Sequence, residues 1–338
     1  MKSICKDLSI AIFMGMILPG ILLYTAVFLT EGRKAQALAV ETVPQEETPR
    51  VSLEMNLRRE NGSSEAWDMD AYLVNVVLAE MPASFEEEAL KAQAVAARTY
   101  ARKAAVTGGK HGDGSVCTQS SCCQAYITEE EYLLRGGTRE GIEKVRRAVG
   151  ETSGYVLTYE GELIEATYFS CSGGSTEDAQ AVWGTDYPYL QAVDSPGEEG
   201  AEVYRDQVRF TAEEFQNALG RSLSGNPGSW FGTVYYTEGG GVALMEIGEE
   251  TYSGTQLRAL LGLRSTAFSV ETGGEEITIT TKGYGHRVGM SQYGAEAMAV
   301  AGSSFREILA HYYPGTELIK LTNSTLQSKI MDIQPTVG

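Results

Sequence analysis

Basic charge is scarce in this chain. Its 338 residues carry 27 Lys and Arg against 45 Asp and Glu, a formal net charge of −18, and no long basic run occurs. A nucleic-acid binder presents a basic patch or stripe, so that class is set aside. A polyanion could bind only at a local cluster of Lys and Arg. Internal repeats and low-complexity tracts are also missing. So is the regular strand–helix alternation of a parallel doubly wound sheet, which leaves α+β as the fold class, with mixed helices and antiparallel sheets. Cysteine is sparse, at five residues.

What is present begins at the N-terminus. Leu8 to Leu29 is a 22-residue stretch without a charge. That length spans a hydrocarbon core of ~30 Å at ~1.5 Å per residue. Pro19 and Gly20 interrupt it, which membrane helices tolerate. A cleaved signal peptide has a shorter apolar region closed by a small-x-small site; no clear one ends this run, although Ala35-Gln36-Ala37 lies a few residues beyond it. The expected topology is a tail over 1–7, an anchor over 8–29 and a polar linker over 30–65, with the large domain outside the membrane. The core is expected over 66–202 and 282–325, an inserted α+β subdomain over 203–281, and a tail over 326–338.

Within the domain, the spacing predicts a helix over Ala71–Met81, stopped by Pro82. A second, Ala-rich helix is expected to run to Ala105, opened by a Ser84–Glu87 capping box. Glu129–Gly150 reads as one helix, and Tyr155–Tyr159 with Glu162–Phe169 as a hairpin about Glu160-Gly161. A second capping box is expected at Thr211–Glu214. Strands are expected at Thr233–Thr237, Val242–Ile247, Ala267–Glu271 and Glu276–Thr281, with a short helix at Thr255–Leu261. A Gly-rich loop then carries His286, Ser291, Gln292 and Tyr293.

Several residues have the chemistry of a site. Glu80 ends an apolar helix, and a carboxyl among apolar groups keeps its proton and can donate it; spacing alone favours a solvated helix-end glutamate. Lys91 and Arg98 are seven apart, on one helix face two turns from each other, a clamp for an anion or simply a solvated face. His111, Cys117, Cys122 and Cys123 offer three thiols and one imidazole, a possible closed Zn²⁺ site. The spacing is not that of a common zinc finger, and a disulfide from the cluster to Cys171 is an equal rival. Cys171 with His286 also has the composition of a Cys–His nucleophile pair, which nothing else in the sequence supports.

Taken together, the segments YLVNVVLAEMPASFEEEALKAQAVAARTYA, CCQAY, ATYFSCSGG and GHRVGMSQYGA resemble the stage II sporulation protein D family, related to the LytB amidase-enhancer proteins. The resemblance implies a peptidoglycan lytic transglycosylase that acts on peptide-denuded glycan during engulfment of the forespore. By the same resemblance it works with a partner cell-wall amidase or endopeptidase and a membrane scaffold of the engulfment complex, between the mother-cell and forespore membranes. Glu80, in the AEMP motif, takes the place of the family's acid/base. Lys91, Arg98, Tyr168, Ser172, Gly173, Gly174, His286, Ser291, Gln292 and Tyr293 take places in the glycan groove. Lys91 or Arg98 is the expected partner of the muramic acid carboxylate. Some family members bind zinc in the loop before QAY through two His and two Cys; here Cys122 stands in place of one His, and the resemblance moves the balance from disulfide to zinc. Arg287 stands where the family often has Gly.

Overall fold

The computed structural model describes residues 53–59 and 61–321. The expected anchor and both expected tails lie outside the described residues. Among the described residues no helix is long and apolar enough to cross a membrane.

The architecture is mixed α and β, and all but one of its sheet pairings of three or more residues are antiparallel. Order begins earlier than the composition suggests. The hairpin Glu54–Arg58/Ser64–Asp68 begins inside the stretch read as linker, and Ser115–Cys117 adds to it in parallel. Leu53, Met55 and Leu57 are buried while Glu54 and Asn56 face solvent, an alternation that a polar composition masks.

Asp68 caps the helix Met69–Glu80 by accepting from the Ala71 amide. The helix ends where Met81 turns extended, one residue before Pro82. Beyond it, the 21-residue helix Glu87–Thr107 runs through the core. Its buried Ala89, Ala92, Ala94, Ala96, Ala97 and Ala101 let the helices Met69–Glu80, Arg139–Glu151, Gln292–Val300 and Phe305–Tyr312 pack directly on it. Gly108 closes it in the left-handed conformation, at φ 89°.

The capping box expected at Ser84 does not form. Glu86 is the cap and has no side-chain bond to the helix; instead its own amide donates to Glu296 Oε2 at 2.6 Å. The tertiary partner replaces the local one. The Thr211–Glu214 box is present. The single helix expected over Glu129–Gly150 is two, Glu129–Leu134 and Arg139–Glu151, broken at Gly136 and Gly137, with Gly136 at φ 90°.

Glu160 and Gly161 both take positive φ and turn the hairpin, as expected. Its second strand stops at Leu163, however. Tyr168–Phe169 leaves to pair in parallel with Met290–Ser291, and Tyr155–Tyr159 gains Glu317–Lys320 as its other neighbour. The residues that follow, Arg205–Lys282, form two three-stranded antiparallel sheets and two short helices. Phe215, Trp230, Ile247, Leu257, Ile277 and Ile279 give this segment an apolar cluster of its own.

Candidate functional site

Glu80 projects from the last turn of its helix into a cavity of about 1060 Å³. That lies at or above the roughly 300–1000 Å³ of ordinary ligand pockets. The Ala125 amide donates to Glu80 Oε1 at 2.8 Å, and Gln292 Nε2 lies 3.5 Å from Oε2. Tyr168 also hydrogen-bonds the carboxyl, while Gln124 Nε2 donates to the Tyr168 hydroxyl at 2.8 Å and Tyr72 donates to Gln124 Oε1 at 3.1 Å. Burial raises the Glu80 pKa above the usual carboxylate range, and the amide, Gln292 and Tyr168 pull it partly back. The group is therefore held in a fixed orientation and inclined to keep its proton.

His286 stands in the same cavity, its ring against Phe169 and Trp183 at centroid distances of 5.6 and 5.2 Å. Burial pushes its pKa down to about 4, assisted by the charge of Arg258. The Val288 amide donates to Nδ1 at 3.2 Å, so the neutral ring carries its proton on Nε2. Trp183 and Tyr284 also line the cavity, and both are exposed.

Neither expected cation reaches this space. Lys91 is surrounded by carboxylates, Glu151 at 2.7 Å, Glu88 at 2.8 Å and Glu87 at 3.7 Å. Arg98 has no exposed surface: Asp70 Oδ1 lies 3.0 Å from Nη2, and the Val149 and Tyr155 carbonyls accept at 3.1 and 3.4 Å. The Ala-rich face that carries both residues packs against helices, so they serve the core instead of a ligand.

The Ser-Gly-Gly turn and Ser291 also lie behind the cavity instead of on its wall. They converge on Glu198, which is buried. Its Oε2 accepts from the Ser172 amide (2.9 Å), the Ser172 hydroxyl (2.7 Å), the Gly173 amide (2.9 Å) and the Cys171 thiol (3.3 Å). Its Oε1 accepts from the Ser195 and Ser291 hydroxyls. Gly174 donates to Ser172 Oγ, and Gly173 leaves no room for a Cβ against the backbone of Lys282 and Gly283. Tyr293 packs edge-on against Phe85 instead of facing the cavity. Cys171 is thus a buried hydrogen-bond donor whose pKa burial raises to about 12, which removes it as a nucleophile partner of His286.

The chain is similar to known proteins. A family model described as "Stage II sporulation protein" matches residues 58–159. The chain is 40% identical over 266 residues to "Stage II sporulation protein D" of Bacillus subtilis (strain 168), covering 77% of each chain. It is also 40% identical over 265 residues to the protein of the same name in Bacillus amyloliquefaciens, again covering 77% of each. The chain belongs to the stage II sporulation protein D family. It is also 31% identical over 306 residues to "Amidase enhancer" of Bacillus subtilis (strain 168), covering 73% of this chain and 40% of that protein.

Against the family frame, Arg287 finds a clear role. It sits at φ 66°, the left-handed region that a glycine adopts without strain. Its guanidinium is buried and donates to Glu177 and to the carbonyls of Ser172, Ser175 and Gly239 at 2.7 to 2.9 Å. It adds no charge to the cavity. It ties the loop beside His286 to the turn after Tyr236 in the inserted segment.

His111, Cys117, Cys122 and Cys123 come together, their ligand atoms all within 4.8 Å of one another. His111 Nε2 lies 3.7 Å from Cys122 Sγ and 3.5 Å from Cys123 Sγ, and the two sulfurs are 3.9 Å apart. A tetrahedral Zn²⁺ with ordinary bond lengths requires edges of about 3.8 Å between sulfurs and about 3.5 Å between sulfur and nitrogen. The residues present fit the ion. Cys171 is a free thiol bonded to Glu198, so the rival disulfide is not formed.

Glu198, Gln124 and Arg258 escaped sequence reasoning. Glu198 lies in an acidic Pro-Gly-Glu-Glu-Gly loop that reads as solvated surface. Its replacement by Gln puts an NH₂ donor where one oxygen now accepts, facing other donors. We expect a loss of roughly 3 kcal/mol, read by urea denaturation.

Proposed function

We propose that this chain is a membrane-anchored lytic transglycosylase that cleaves the bond from N-acetylmuramic acid to N-acetylglucosamine in peptidoglycan strands. By analogy with its family it acts on peptide-denuded glycan during endospore engulfment, beside a cell-wall amidase and a membrane scaffold. The observation that carries this reading is the Glu80 carboxyl, buried enough to stay protonated and held by Ala125, Gln292 and Tyr168 in a large cavity with exposed aromatic walls.

The chemistry needs one acid. Glu80 gives its proton to the oxygen leaving the muramic acid carbon. The resulting carboxylate takes the proton of that sugar's own 6-hydroxyl, whose oxygen closes a 1,6-anhydro ring on the same carbon. The nucleophile is already attached, which favours the step entropically. Glu165, the other carboxyl at the cavity wall, is ion-paired with Lys103 at 3.0 Å. A two-carboxylate hydrolase would instead deliver water and leave reducing ends. Digestion of amidase-treated peptidoglycan followed by mass spectrometry separates these outcomes. Anhydro-muramyl ends that vanish in Glu80→Gln support the proposal, and reducing muramic acid ends defeat it. Likeness to the amidase enhancer favours a second reading, a non-catalytic glycan-binding module; binding without any cleavage product would select it.

The proposal includes a structural zinc on His111, Cys117, Cys122 and Cys123. Four protein ligands complete the tetrahedron, so the ion supplies a cross-link for the loop 108–124 and no open coordination position. Cys123→Ser is expected to abolish zinc in elemental analysis of the purified chain, to lower its melting temperature and to raise its sensitivity to proteolysis. Retained stoichiometric zinc would contradict the assignment.

A further inference from the structure

With Lys91 and Arg98 engaged elsewhere, the cavity has two other cations at its wall, Lys110 and Arg258. Lys110 Nζ donates to the Cys122 carbonyl, in the metal loop. Arg258 is different. It sits on the helix Gly254–Leu260 of the inserted segment and is partly buried. Its Nε makes one long contact, 3.4 Å, to the Leu263 carbonyl. The terminal nitrogens of its fork have no hydrogen-bond or ion-pair partner among the described residues.

The neighbouring arginines show what a satisfied guanidinium looks like in this protein. Arg287 has Glu177 and three carbonyls; Arg264 has Asp206 at 3.3 Å and stacks over Tyr284. Arg258 has lost part of its hydration and gained no counter-charge, and burial pushes its pKa down accordingly. It also faces an imidazole whose protonation it opposes. An uncommitted, part-desolvated fork on a cavity wall is matched by a planar anion, most directly a carboxylate held by two parallel bonds. The exposed rings beside it, Tyr284 and Trp183, offer flat apolar faces to the carbon–hydrogen side of a sugar. The ligand that answers both features is a carboxylated sugar.

We propose that Arg258 is the specificity-determining residue of the groove: with Tyr284 and Trp183 it forms a subsite for a muramic acid unit whose lactyl carboxylate is free. This rests on the reading of the cavity as a glycan groove. A stem peptide converts that carboxylate to an amide, which removes the charge and places bulk where the fork must approach. The preference for peptide-free strands is then built into the inserted segment. The helices that carry the acid and the Ala-rich core have no part in it.

The test uses binding, in the Glu80→Gln chain so that no strand is cut. The probes are peptide-free glycan strands and the same strands with their carboxylates converted to methylamides. The Glu80→Gln chain is expected to prefer the carboxylate strands, and adding Arg258→Gln should lower that preference ratio by about tenfold. An unchanged ratio overturns the Arg258 assignment while leaving the groove intact. Failure of the Glu80→Gln chain to bind either strand overturns the groove itself. If Arg258→Gln does not fold, Arg258→Lys takes its place. It keeps the charge and loses the fork, so a ratio lowered about threefold is expected, and an unchanged ratio again refutes the assignment.

Discussion

Glu80→Gln is expected to lower turnover of amidase-treated peptidoglycan by roughly 10²–10⁴-fold, the usual contribution of a positioned general acid. The substitution preserves shape. Its carbonyl oxygen can still accept from Ala125, and the Gln292 amide can turn to meet the new NH₂ group. What it loses is the proton. Stability should move the other way. The folded pKa of Glu80 is raised by burial, so its favourable contribution is complete below the unfolded carboxyl value of about 4.3. It is lost as pH rises through the folded pKa, because the buried group must then ionise. The Gln variant has no such cost. Its melting temperature at neutral pH should equal or exceed that of the parent, and its stability should depend less on pH across the same window. In the parent, activity should fall on the alkaline side as the acid loses its proton. A variant that retains anhydro-muramyl products would remove Glu80 from the mechanism.

Arg98→Ala is expected to destabilise the chain by roughly 3–5 kcal/mol, the range for breaking a buried ion pair. The truncation strips Asp70 of its counter-charge, takes a donor from each of the Val149 and Tyr155 carbonyls and opens a cavity at a wholly buried position. Urea denaturation reads the loss directly. A substrate clamp would predict a different pattern, with activity lost on carboxylated glycan and spared on neutral chitin oligomers. The packing of Arg98 predicts equal losses on both, tracking the unfolded fraction. Intact stability with selective loss on the carboxylated strand would return Arg98 to the groove.

The contrast between these residues shows what could be read from the linear sequence. The helix bearing Glu80 follows from its apolar spacing and from Pro82, and the strands of the inserted segment follow from their alternation. The cluster His111, Cys117, Cys122 and Cys123 was legible because ligand chemistry limits which side chains can gather. Lys91 and Arg98 were misplaced because a charged side chain reads as solvated until its partners are known. Asp70, Val149 and Tyr155 lie 28, 51 and 57 residues from Arg98. The same holds for Ser84, whose capping box yields to Glu296, 210 residues from Glu86. Glu198 and Arg258 carry no local signal at all. Their roles arise only when distant loops converge, and a loop carboxylate or a helix arginine looks alike whether it is buried or free.

The short parallel pairing of Tyr168–Phe169 with Met290–Ser291 joins segments more than a hundred residues apart, and it sets Gln292 beside the acid. A ribosome or a secretion pore delivers Glu80 early and Gln292 late. Until the final stretch emerges, the Glu80 carboxyl lacks its Gln292 contact. A chain truncated before Met290 keeps the carboxyl but lacks the Gln292 amide that meets its second oxygen.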